Sequence, residues 1–179
     1  MSRQLFSRRP KLSARQLHRL GGILIALPAL IVLGTGLLLQ LKKSWTWVQP
    51  ATVRGTDSTP RLDFAAILAV ARTVPEAEIA DWPDIDRLDV RPDRGIVKVR
   101  ARNHWEIQID TATGDVLQVA YRRSDVIEAL HDGSWFHDAA RLWIFLPSGV
   151  VLLGLWLTGV YLWFLPVIRR RRAARAENP

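Results

Sequence analysis

The sequence predicts a membrane α+β protein, in which two transmembrane helices flank a small extracytoplasmic domain of helix and antiparallel strands. Three observations predict this fold class. The 179-residue chain has two long uncharged runs, its excess positive charge lies at its two ends, and part of its middle alternates apolar with polar residues. A helix needs about 20 apolar residues to cross a hydrocarbon core of about 30 Å. Alternation with a period of two indicates strands with one buried face.

Both uncharged runs are long enough to span a bilayer. Residues 20–41 form a run of 22 residues without a charge, and residues 142–168 form a run of 27. We therefore predict transmembrane helix 1 over residues 20–41 and transmembrane helix 2 over residues 140–168. A cleaved signal peptide is the alternative for the first run. That run is longer than the roughly 7–15 apolar residues of a signal peptide, and no small-x-small cleavage site follows it.

The charge distribution predicts the topology. Residues 1–20 carry six basic residues and no acid, residues 169–179 carry five arginines and one glutamate, and the stretch between them has a net charge of −2. Because basic flanks of spans stay in the cytoplasm, we predict basic cytoplasmic tails at residues 1–19 and 169–179. These flanks account for the net charge of +8, and no base-reading motif accompanies them. The expected partner is therefore the lipid bilayer, and nucleic acid is not expected.

Between the spans we predict a neck and linker over residues 42–61, a folded domain over 62–123, and a neck helix and loop over 124–139. Thr59 and Pro60 are typical of a helix N-cap and first turn. An apolar stripe at helical spacing follows them: Phe64, Ile67, Leu68 and Ala71. Ser124 is predicted to cap the short neck helix over residues 125–130.

The alternating residues predict four strands joined as a meander. Their apolar members are Leu88 and Val90; Val97, Val99 and Ala101; Trp105, Ile107 and Ile109; and Leu117, Val119 and Tyr121. Turn-forming residues at 92–95 and 110–115 separate them. We expect the helix to cover the apolar face and water to cover the polar face, with His104 on that polar face. The nearby aspartates (Asp81, Asp84, Asp86 and Asp89) do not have the spacing of a calcium loop.

The composition excludes several kinds of chemistry. The chain has no cysteine, which excludes a disulfide scaffold, cysteine-ligated zinc, an iron–sulfur cluster, a thiol nucleophile and covalently attached c-type haem. Ser134 lies near His131 and Asp132 in sequence, but no nucleophile elbow is present to indicate a catalytic triad. We therefore predict no catalytic residue and no metal site.

Five motifs in order resemble the PepSY-associated transmembrane family over residues 15–168. They are Leu17-His18-Arg19-Leu20-Gly21; Gly34-Thr35-Gly36-Leu37; Trp105 to Asp110 with Thr113-Gly114-Asp115-Val116-Leu117; Leu130-His131-Asp132-Gly133; and Leu157-Thr158-Gly159-Val160-Tyr161-Leu162-Trp163. The resemblance implies a two-pass protein of the bacterial inner membrane, with both termini cytoplasmic and a periplasmic PepSY-like domain.

The resemblance also implies candidate cofactor ligands. Larger relatives with about four spans are similar to ferric-siderophore reductases, which bind haem b through histidines of their spans. On that basis His131, His18 and His137 are the candidate haem-binding residues. This chain has only two spans, so we expect a complete redox path to require a homodimer, in which equivalent histidines of two chains share one haem.

Two functions follow from these expectations. The first is an accessory or binding protein without enzymatic activity of its own, whose periplasmic domain binds a protein partner by its polar sheet face or an edge strand. Such a subunit would belong to a respiratory or iron-uptake complex. The alternative is a dimeric haem b-binding electron-transfer or ferric-siderophore reductase component.

Overall fold

A computed structural model describes residues 13–177 of the chain. The chain divides into two compact units. The helical unit runs up to Leu33 and resumes at Phe136, and the sheet unit is Gly34–Trp135. Four basic residues of the predicted N-terminal tail lie outside the described residues: Arg3, Arg8, Arg9 and Lys11.

Two long helices contain the predicted spans. Their elements are α1 (Ala14–Gln40), then a short α4 (Asp138–Ala140), a π-helical turn (Arg141–Phe145) and α5 (Leu146–Glu177). Within them, Ala14–Gln40 and Asp138–Arg170 are long and apolar enough to cross a membrane. Large apolar side chains on both are exposed, Leu24 by 77% and Trp143 by 80%. A core helix of a soluble protein buries such residues, so this pattern is that of a two-span membrane protein.

The sheet unit contains the predicted four-stranded meander. The strands are β1 (Ile85–Arg91), β2 (Ile96–Ala101), β3 (Trp105–Asp110) and β4 (Val116–Tyr121). They are antiparallel in the order β1-β2-β3-β4, and Val99 of β2 lies opposite Ile107 of β3. Gly95 and Gly114 take the left-handed backbone conformation in the two predicted turns, with φ of 65° and 85°. This confirms the predicted strands and turns.

The helix that covers the sheet starts later than predicted. Helix α2 is Phe64–Ala71, and its N-cap is Asp63, whose carboxylate accepts a hydrogen bond of 2.7 Å from the Ala66 backbone N–H. Thr59 and Pro60 are not its first turn, because the backbone N–H groups of the next two residues bond instead to the Thr111 carbonyl. The predicted apolar stripe is buried at three positions, whereas Phe64 is 67% exposed and lies edge-on to Trp82.

The apolar face of the sheet packs against α2 as predicted. Ile67, Leu68 and Ala71 of the helix meet a layer of buried aliphatic side chains, which comes from β2 and β3: Val97, Val99, Ala101, Ile107 and Ile109. This cluster is the hydrophobic core of the sheet unit.

Over β2 and β3 the polar face of the sheet is buried too, which contradicts the prediction that water covers it. Lys98, Glu106 and Gln108 are exposed by only 2%, 1% and 0%. Residues 48–57, which the sequence predicts as linker, run across this face; we call them the covering segment. The side-chain amide of Gln108 accepts a hydrogen bond from the Val53 N–H (2.9 Å) through its oxygen and donates one to the Ala51 carbonyl (2.8 Å) through its nitrogen.

Ion pairs offset the free-energy cost of burying the charged groups of the polar face. The buried Glu106 carboxylate accepts hydrogen bonds from Lys98 (3.2 Å) and from the Arg122 guanidinium. Lys98 also donates to the Thr52 hydroxyl of the covering segment, at 2.8 Å. A buried charge is costly unless it is paired and hydrogen-bonded, and each of these groups has such partners. Burial lowers the pKa of Arg122, but its contacts with Asp125 and Glu106 outweigh this and hold the pKa above its usual value.

Two smaller predictions next to the sheet are also wrong. His104 is not on the polar face of a strand: it lies half-buried in the turn between β2 and β3, with φ of 70°. Ser124 does not cap the neck helix, because α3 is Arg123–Asp132 and its N-cap is Arg122. Ser124 is instead fully buried inside the first turn, where its N–H donates to the Val48 carbonyl at 2.8 Å.

Candidate functional site

His18 lies in α1 and is paired with a threonine of α5, both within the helical unit. Its Nδ1 is 2.9 Å from the Thr158 hydroxyl oxygen. The next residue on α5 is Gly159, where an added Cβ would lie 3.6 Å from His18 Cε1. The imidazole ring therefore lies close to the α5 backbone, at ordinary contact distance from the position of such a Cβ.

An apolar cavity of about 550 Å³ adjoins His18. This volume is in the range of small-molecule and cofactor sites, which are mostly apolar with a few placed polar groups. His18 and Thr158 are its polar side chains, and the others are small or aliphatic: Leu17, Leu20, Gly21, Leu24, Val151, Gly154 and Leu155. Among the described residues, His18 Nδ1 has a hydrogen-bond partner and His18 Nε2 has none.

His131 is paired in the same way, within the sheet unit. Its Nδ1 is 3.0 Å from the hydroxyl oxygen of Thr35, which lies on α1. The next residue is again a glycine: a Cβ added at Gly36 would lie 3.4 Å from His131 Cε1. The structure thus places each of these two candidate histidines beside a Thr-Gly dipeptide of a span.

Sequence reasoning missed the two threonines. Thr35 and Thr158 stand in motifs that carry the family resemblance, but nothing local indicates their partners, which are 96 and 140 residues away in the chain. The available signal is that each threonine lies in a long uncharged span and immediately precedes a glycine. A threonine hydroxyl in a helix can bond a carbonyl of the preceding turn, as Thr158 does, so this signal alone does not identify a histidine as the partner.

His137 has a different local role. Its Nδ1 accepts a hydrogen bond of 3.0 Å from the Ala139 backbone N–H, so its side chain caps the first turn of α4. A neutral imidazole that accepts through Nδ1 carries its proton on Nε2. It therefore has no nitrogen lone pair left for a metal while it forms this cap.

Ser134, which lies near His131 in the sequence, is hydrogen-bonded to a carboxylate. The Ser134 hydroxyl donates to the Asp132 carboxylate at 2.7 Å, and the Ser134 backbone N–H donates to the same oxygen at 2.9 Å. The single hydroxyl proton of Ser134 is thus directed at the carboxylate, whereas a triad needs it directed at a histidine.

A second, polar cleft of about 330 Å³ lies in the sheet unit. Its lining mixes both signs of charge: Asp86, Arg87, Ala101, Arg102, His104, Asp125, Glu128, Ala129, Asp132 and Ser134. Across residues 13–177, no group of three or more histidine or carboxylate side chains is arranged to hold a metal ion directly. Haem iron needs only one or two protein imidazoles, so this finding does not bear on haem.

Comparison with known proteins agrees with the resemblance noted from the sequence. The model of the PepSY-associated TM region matches residues 15–178. No curated protein matches the chain.

Proposed function

The chain belongs to the PepSY-associated TM region family, and from this premise we propose that it is a dimeric, haem b-binding electron-transfer component of the bacterial inner membrane. One observation carries the proposal. Within the membrane-spanning unit, an imidazole whose Nε2 has no hydrogen-bond partner among residues 13–177 stands beside an apolar cavity of about 550 Å³. Neutral imidazole nitrogen is a common axial ligand of haem iron, and an apolar site of this size suits a cofactor.

The residues present fit haem b in three respects. His18 Nε2 would be the iron ligand, the aliphatic side chains would exclude water, and the absence of cysteine agrees with a non-covalently held haem. Bound haem would supply one-electron transfer. His18 is the sole imidazole among the described residues that line the cavity. A second axial imidazole would come from a second copy of the chain across a two-fold axis.

The proposed topology follows from charge. Arg169 and Arg170 end the second span, and Arg15 and Arg19 lie at the start of the first. Because basic span flanks remain in the cytoplasm, we place both termini there and the sheet unit in the periplasm. This orientation would put His18 near the cytoplasmic end of its span.

An absorption spectrum tests the proposal. We would purify the full chain in mild detergent from haem-replete cells and record oxidised and dithionite-reduced spectra. We expect a Soret band, sharp reduced α and β bands, and one haem per two chains for each occupied site. His18→Ala should abolish the bands of that site. The control is His104→Ala, which replaces a histidine that belongs to neither of the two histidine–threonine pairs. It should leave the haem bands unchanged. A featureless wild-type spectrum would rule out the haem function.

The accessory-protein hypothesis remains the second candidate. Its predicted binding surface, the polar sheet face, is covered by residues 48–57, so a partner would have to use an edge strand or the polar cleft. The mixed charges of the cleft favour a polar protein segment. A stoichiometric partner that co-purifies with the wild type, but not with Arg102→Glu, would support this candidate. Equal recovery with both proteins would contradict the use of the cleft.

A further inference from the structure

We infer that Thr158 is a positioning residue that fixes which nitrogen of His18 carries the proton, so that Nε2 presents a lone pair. The inference deepens the proposed function and rests on it for its consequence in haem binding. The position of the proton follows from hydrogen-bond geometry alone.

The hydroxyl of Thr158 donates its hydrogen bond to a carbonyl of its own helix. Its oxygen lies 2.9 Å from the Gly154 carbonyl oxygen and 3.0 Å from the Leu155 carbonyl oxygen. Carbonyl oxygens only accept hydrogen bonds, so the single hydroxyl proton must point at one of them. If the proton pointed at His18 instead, the hydroxyl oxygen would face two carbonyl oxygens at these distances with no proton between them.

The tautomer of His18 follows from the direction of that Thr158 hydrogen bond. With its proton used, the Thr158 oxygen offers lone pairs toward His18 Nδ1 at 2.9 Å. The favourable arrangement is an Nδ1–H that donates to this oxygen, and a neutral imidazole then has its lone pair on Nε2. Metal-ligating histidines are generally oriented in this way, by donating their other ring N–H to an oxygen.

One further observation agrees with a positioning role. The pairing of a histidine with a Thr-Gly dipeptide also occurs at His131, Thr35 and Gly36, with a distance of 3.0 Å. Two such pairs in a chain with four histidines indicate a shared structural requirement.

Nitrogen NMR tests the tautomer without haem. We would label histidine selectively with ¹⁵N in the full haem-free chain in detergent, well above the usual histidine pKa of about 6.5. With four histidines, His→Ala variants assign every signal. We expect wild-type His18 to be protonated on Nδ1, Thr158→Ser to retain that state, and Thr158→Val to lose it. Thr35→Val is the matched control: it should change the signals of His131 and leave those of His18 in place.

Haem titration measures how much the contact between Thr158 and His18 contributes to haem affinity. Loss of an outer partner of a metal ligand typically lowers affinity about 10- to 100-fold. We expect Thr158→Val to weaken haem binding by such a factor, and Thr158→Ser to remain close to wild type. Wild-type His18 protonated on Nε2, or unchanged by Thr158→Val, overturns the inference whether or not haem binds. If the wild type binds no haem while the tautomer is as expected, the proposed function fails and the positioning of His18 stands.

Discussion

Over the central strands β2 and β3 both faces of the sheet are buried, yet the two faces are stabilised by opposite chemistry. Ile107 faces α2 in a layer made only of aliphatic side chains, whereas its neighbour Glu106 faces the covering segment with cations on either side. Both residues are almost inaccessible to solvent. The apolar face is stabilised by removal of hydrocarbon from water. The polar face is stabilised only because nearly every group has a partner. A polar row along a strand therefore does not by itself indicate a wet face.

The largest expected effect comes from removing the central charge of the polar face. Glu106→Gln keeps the shape of the side chain but leaves the buried Lys98 and Arg122 cations without their shared carboxylate. Breaking a buried pair in this way costs about 3–5 kcal/mol. Denaturant unfolding of the full chain in detergent, followed by near-UV circular dichroism, measures it.

The matched control for that change is Glu128→Gln. Glu128 pairs with Lys42 at 3.2 Å, and both side chains are substantially exposed. Exposed pairs contribute about 0.2–1 kcal/mol, so this variant should unfold nearly as the wild type does. Equal losses from the two variants would mean that the polar face is hydrated in solution.

A cavity in the apolar face should have a comparable but slightly smaller effect. Ile107→Ala removes a fully buried side chain from the centre of the core, for which we expect a loss of about 2–5 kcal/mol. The same unfolding measurement applies. Val116→Ala on β4 is the control, because Val116 is 39% exposed and its loss leaves no enclosed cavity. If Glu106→Gln were harmless and Ile107→Ala severe, the apolar face alone would hold the sheet unit together.

A third variant separates the covering segment from the sheet. Gly95 has a left-handed φ of 65°, and a Cβ there would collide with the Asp57 carbonyl oxygen at the end of that segment. Gly95→Ala should cost about 1–3 kcal/mol and raise amide hydrogen exchange in residues 48–57. Gly114→Ala introduces similar backbone strain, but its Cβ would make only ordinary contacts, with Leu62 at 3.7 Å and Val70 at 3.9 Å. Because these neighbours lie outside residues 48–57, Gly114→Ala should leave exchange in that segment unchanged, and equal exchange in both variants would contradict the contact between Gly95 and Asp57.

The smallest effect is a dependence on pH. Burial raises the pKa of Asp110, but hydrogen bonds from Ala112 and Thr56 outweigh it and hold the pKa below its usual value. The stabilisation from this carboxylate is therefore complete above the unfolded-state pKa of about 3.9, and it is lost as the pH falls through the lower folded-state pKa.

Comparison of the wild type with Asp110→Asn isolates that dependence. The difference in unfolding free energy between the two proteins should be constant above about pH 5 and should shrink at more acidic pH. A difference that grows on acidification would contradict the assigned direction of the pKa.

Much of the local structure was predictable because it depends on neighbouring residues. The strands around Val97 to Ala101 and Trp105 to Asp110 follow from alternation, and Gly95 and Gly114 mark their turns. The start of α2 was not predictable in the same way. Thr59 and Pro60 have the chemistry of a helix start, but Thr111, about 50 residues later in the chain, holds the following backbone in another conformation.

The sequence by itself determined the two spans, the four strands in their order, the family, and the histidines worth testing. These features depend on periodicity, length and short motifs, all of which act over a few residues. Only the tertiary structure decided that residues 48–57 bury the polar face, and that His18 and His131 meet Thr158 and Thr35. The physical reason is that a side chain's burial and hydrogen-bond partner are set by whichever distant segment packs against it. The same carboxylate or imidazole is compatible with water or with a buried partner until that segment is in place.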